Sequence, residues 1–84
     1  MANRDYETDA QYREFRKKVR ARDRFKCKMC QSKEKLQVHH IIRWTDSPWL
    51  RYDVTNGITL CKECHNSIKG SEHIWASYLS KLID

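Results

Sequence analysis

The chain lacks any run of apolar residues long enough to cross a bilayer, and no apolar stretch near its N-terminus resembles a signal peptide. No membrane partner is expected. Internal repeats and low-complexity segments are also missing, which excludes a solenoid and leaves a single domain over residues 1–84 as the expectation. No cysteine is left over: Cys27, Cys30, Cys61 and Cys64 form two C-x-x-C pairs. Length is short too, because a domain of 84 residues buries little apolar surface and needs a staple. Without a secretory signal the cysteines are expected in a reducing compartment, the cytoplasm, where metal binding is favoured over disulfides.

The cysteine pairs offer that staple. Two thiolates spaced C-x-x-C can share one metal, and two such pairs complete a tetrahedral four-cysteine zinc site. Thirty residues separate Cys30 from Cys61, enough for a strand, a loop and a second strand. The competing readings are a pair of disulfides or buried free thiols. A site closed by four sulfurs is structural, so catalysis has to come from elsewhere.

The formal charge of +6 is unevenly placed. Between Gln11 and Lys28 stand nine Lys/Arg against Glu14 and Asp23, a local net of +7, while the rest of the chain is close to neutral. Such a block suits a polyanion such as DNA or RNA. Its ordinary alternative is a solvated helix face.

Thr8 with Gln11 matches a capping box, so a helix is expected from about Asp9 to about Arg22, preceded by a frayed tail over residues 1–8. Tyr12, Phe15 and Val19 give it a narrow apolar stripe. Leu36 to Ile42 reads as a strand, Arg43 to Thr55 as a long connection, and Ile58 to Leu60 as a second strand. A helix is expected from about Lys62 to Lys69, stopped by Gly70. Ser71 can cap a last helix whose apolar face is Ile74, Trp75, Tyr78, Leu79, Leu82 and Ile83. In the connection, Trp44, Trp49 and Tyr52 lie among Arg43 and Arg51. Packing is expected for Trp49 and Trp75, and DNA contact for Arg43 and Trp44.

Two adjacent histidines, an asparagine and a third histidine stand on this frame. The ordered pattern is C-x2-C (Cys27, Cys30), then L-x-V-H-H-I (Leu36–Ile41), then N-G-I-T-L-C-x2-C-H (Asn56–His65). Over about residues 10–70 it resembles the HNH endonuclease family. That resemblance implies an α+β chain, a small ββα-metal domain with a structural four-cysteine zinc, a basic N-terminal helix and an amphipathic C-terminal helix.

The resemblance also implies roles. His40 matches the general base that deprotonates the attacking water. His39 and His65 match ligands of a catalytic divalent ion such as Mg²⁺ or Mn²⁺, and Asn56 matches the asparagine that braces the site loop. The candidate catalytic residues are therefore His40, Asn56 and His65. The substrate implied is DNA, contacted by Arg13, Arg16, Lys17, Arg20, Arg43, Trp44 and Lys69, with products carrying a 5′ phosphate and a 3′ hydroxyl. One site per chain implies nicking by a monomer, and a dimer or two encounters for a double-strand break. Small members resemble bacteriophage-encoded nucleases, so packaging proteins are further partners to expect. The rival reading is a zinc-stapled DNA-binding or adaptor module with an inactive site. Adjacent strand residues point to opposite faces, so His39 and His40 can share a site only at a strand end or bulge.

Overall fold

Apolar residues at the spacing of one helical face put Tyr12, Phe15 and Val19 inward on the first helix, α1 (Ala10–Arg22). A computed structural model of the chain describes residues 10–42 and 48–83. The expected tail, the capping Thr8, and Arg43 and Trp44 lie outside those residues. Arg20 and Arg22 occupy the last turn of α1, where cations favour the helix C-terminus. Left-handed Arg24 (φ 60°) and Phe25 (φ 57°) then reverse the chain into the first cysteine turn.

Two strands, β1 (Leu36–His40) and β2 (Gly57–Cys61), form an antiparallel pair in which Gln37 faces Leu60, His39 faces Ile58 and His40 faces Gly57. β1 ends two residues earlier than expected. The amide of Ile41 still bonds in register to the Asn56 carbonyl, but that of Ile42 turns to the Asn56 side chain, and the pairing stops there. Helix α2 (Lys62–Ile68) follows β2 directly, with Cys61 as its N-cap, and α3 (Glu72–Leu82) follows the turn at Gly70 (φ 88°).

The period-2 alternation of the strands gives the sheet two covered faces. On one, Ile58 and Leu60 pack with Ile68 of α2 and Leu79 of α3, and Cys27 and Cys61 belong to the same cluster. On the other, Tyr12, Phe15 and Val19 of α1 pack with Val38, Tyr52 and Val54. Gly57 lies directly under α1: a Cβ there would come within 2.7 Å of both Phe15 and Val19, so only glycine fits. The Arg22–Asp23 pair locks the layers together. Asp23, buried, accepts the Thr59 amide at 2.8 Å and two bonds from Arg22, whose guanidinium donates onward to the Val54 and Gly57 carbonyls.

Two packing expectations change. Trp49 is 76% exposed, on a short 3-10 turn (Pro48–Leu50) in the connection rather than in the core. The apolar face of α3 is narrower than its sequence suggests. Trp75, Ala76 and Leu79 face the core, whereas Ile74 (69% exposed) and Tyr78 sit one helical turn apart on a neighbouring stripe beyond the sheet's reach.

Candidate functional site

The four cysteine sulfurs converge to within 4.8 Å of one another, and Cys30 Sγ lies 3.6 Å from Cys61 Sγ. Zinc–sulfur bonds of about 2.3 Å give tetrahedral sulfur–sulfur edges of about 3.8 Å, so the cluster is compatible with a zinc site. The amides of Met29 and Cys30 each point at Cys27 Sγ from 3.4 Å, and that of Cys64 points at Cys61 Sγ from the same distance. Burial raises the Cys27 thiol, but the backbone bonds from Cys30, Cys61 and Met29 outweigh it and bring it to about 7. Cys64 is pushed far up, by burial first and then by its sulfur neighbours. Thiols this close compete for negative charge, and a dication relieves that competition.

A second grouping forms on the α2 side of β1. The rings of His39 and His65 lie 5.2 Å apart, tilted by 57°. His39 is buried, and its Nε2 has no hydrogen-bond partner among the described residues. Burial first, and then the neighbouring His65, hold His39 down to about 4, so the ring is neutral at neutral pH. Burial and the Lys69 charge also lower His65. Its Nδ1 sits 2.7 Å from Gln37 Oε1. Glu72 acts on both imidazoles in the opposite direction, favouring their charged forms, and takes the Gly70 amide on Oε1 at 3.1 Å.

His40 faces the other way, as strand alternation requires. Its ring stacks on Phe15 at 5.0 Å and lies 6.1 Å from Tyr12. Its Nε2 is 2.9 Å from the Arg51 carbonyl oxygen. A carbonyl only accepts, so Nε2 carries the proton and Nδ1 is the ring's acceptor. Burial lowers His40 below the ordinary histidine value, the Arg51 carbonyl opposes this, and the Arg51 charge adds to it. The structure thus brings His39 and His65 together and sets His40 apart from them, across the end of β1.

Asn56 is buried and turned to the backbone. Its Oδ1 accepts the Ile42 amide at 2.9 Å, and its Nδ2 donates to the carbonyls of Ile42 at 2.8 Å and Leu50 at 3.4 Å. One side chain therefore ties both ends of the segment that carries residues 43–49. On α1, Arg13 and Lys17 are exposed, while Arg16 and Arg20 are half-buried and the Arg16 guanidinium lies over the Tyr12 ring at 5.7 Å. Lys69 is exposed just after α2.

Gln37 and the Arg51 carbonyl carry no role in the sequence reading. Gln37 had one available sign: two residues before His39 on a strand, it shares that residue's face. The Arg51 carbonyl had none, because a backbone group is anonymous until the chain is folded. A family model described as HNH endonuclease matches residues 27–71, more than half the chain, spanning both cysteine pairs, both strands and α2. No curated protein and no solved structure matches.

Proposed function

The chain belongs to the HNH endonuclease family, and on that premise we propose that it is a metal-dependent DNA endonuclease that nicks one strand per encounter. The observation that carries this reading is the Nε2 of His39, a buried imidazole nitrogen on the face shared with His65 that has no partner among the described residues. Leaving such an atom unsatisfied costs about 1–3 kcal/mol, and coordination removes that cost. Two imidazoles side by side on one face, their rings 5.2 Å apart, make a donor pair that fits a divalent ion whose other positions are filled by water and substrate. His39 and His65 would hold it. When bound, such an ion supplies Lewis-acid stabilisation of the charge that develops on the phosphate and the leaving oxygen.

The chain's own residues supply the rest. His40 takes the proton of the attacking water on Nδ1, while the Arg51 carbonyl holds the opposite nitrogen and stabilises the imidazolium that forms. Because His39 and His40 flank the strand end from opposite sides, a phosphodiester lying across that end has its attacking and leaving oxygens served from different sides. Asn56 keeps the Arg51 end of the connection in place. Lys69, whose charge is felt at His65, contacts a phosphate, and the basic face of α1 holds the duplex without sequence choice.

The test is relaxation of supercoiled plasmid by the zinc-loaded protein with Mg²⁺ or Mn²⁺, and after mild EDTA. Wild type should nick, and EDTA should stop it reversibly. His39→Ala and His40→Ala should each lose about 10²-fold or more while still binding DNA. Wild-type protein that binds duplex DNA but cuts it with neither metal would leave the inactive DNA-binding module as the correct reading.

A further inference from the structure

We propose that Gln37 is the positioning residue for His65, deciding which ring nitrogen of that histidine is turned into a ligand. The inference rests on the reading of His39 and His65 as the cation's ligands. Gln37 and His39 stand two residues apart on β1, opposite Leu60 and Ile58 of β2, so both side chains project from the face that α2 covers. His65, on α2, meets both: its ring packs against His39, and its Nδ1 meets Gln37 Oε1 at 2.7 Å.

The consequence follows from donor and acceptor inventory. An amide oxygen has no proton to give, so the proton in this bond belongs to His65 Nδ1. With Nδ1 protonated, the lone pair of the neutral ring is confined to Nε2. A histidine ligand is normally held in this way, its second nitrogen donating to a carbonyl or carboxylate that fixes both tautomer and orientation. Were the amide turned over, its NH₂ would donate to Nδ1, the proton would sit on Nε2, and that nitrogen could not ligate. The two amide orientations therefore assign His65 opposite states, and only the observed one makes it a ligand.

The test uses the full chain with zinc bound and no second metal. Long-range ¹H–¹⁵N correlation of the imidazoles reports the tautomer of His65, and calorimetric titration with Mn²⁺ reports affinity. Wild type should show the Nδ1–H form. Gln37→Leu, which removes the acceptor and keeps the bulk, should give a mixture of tautomers and weaken Mn²⁺ by about 10–100-fold. Gln37→Glu, which keeps an acceptor at the same reach, should restore both. An Nε2–H form in wild type, or an unchanged Mn²⁺ affinity in Gln37→Leu, would overturn the proposal. His65→Ala separates its failure from that of the ligand reading. If His65→Ala weakens Mn²⁺ while Gln37→Leu does not, only the positioning role falls; if His65→Ala changes nothing, the ligand assignment falls and the proposal with it.

Discussion

Replacing Asp23 with alanine should remove a large share of the stability of this fold, although Asp23 touches neither metal grouping. Its carboxylate is buried and receives three bonds: the Thr59 amide at 2.8 Å and two from the Arg22 guanidinium at 2.8 and 2.9 Å. Arg22 in turn donates to the Val54 and Gly57 carbonyls at 2.8 and 2.7 Å. Together these bonds join the end of α1 to the middle of β2 and to the turn before it. Alanine leaves the Thr59 amide unsatisfied inside the sheet, a loss of about 1–3 kcal/mol. It also strips the guanidinium of its counter-charge. Losing one partner of a buried pair costs about 3–5 kcal/mol. Because the Arg22 side chain is 27% exposed and water screens part of its charge, we expect a total of about 3–5 kcal/mol rather than the sum of the two effects. A small domain holds only about 5–15 kcal/mol. Asp23→Asn keeps an acceptor for Thr59 and should lose about 1–3 kcal/mol, the difference due to charge. Urea unfolding of the zinc-loaded proteins measures both, read as a fall in midpoint at unchanged slope. A loss below about 1 kcal/mol in Asp23→Ala would show that the network does not hold the layers together, and would refute the reasoning.

Three further outcomes are expected. Burial keeps His40 below the ordinary histidine value of about 6.5, so its proton-accepting form persists as pH falls through that value and is lost only below it; the acid limb of the cleavage profile should have its midpoint under about 6.5, and a midpoint above it would contradict the role given to His40. Cys27→Ser or Cys61→Ser should release zinc and unfold the domain, since metal binding and folding are coupled in small zinc proteins; elemental analysis with circular dichroism reads this, and folded, active protein without zinc would sink it. Replacing Arg16, Lys17 and Arg20 together with alanine, in a His40→Ala background, should weaken binding equally on two unrelated duplexes and flatten the log–log salt slope by up to about 0.9 per lost phosphate contact; an unchanged slope would make α1 a solvated face.

Much of this protein is local and therefore legible in its sequence. The stripe of Tyr12, Phe15 and Val19 needs only helical periodicity, and all three are buried. The pairing of Cys27 and Cys30 with Cys61 and Cys64 needs only spacing, and the four sulfurs converge. The ordered histidine and asparagine pattern points to the family whose model matches residues 27–71. What remained hidden depends on where one segment lies against another. Strand alternation says that His39 and His40 diverge, but only the packed helices say that one meets His65 and the other Phe15. Asp23 reads as a stray acid in a basic block until the sheet brings the Thr59 amide to it from 36 positions away. Trp49 reads as core because large aromatics usually are, yet it sits exposed at the surface, on a turn whose last residue, Leu50, accepts a bond from Asn56. Periodicity and spacing are properties of one segment, whereas a hydrogen-bond partner or a ring's neighbour belongs to two, and that second segment is supplied only by the fold.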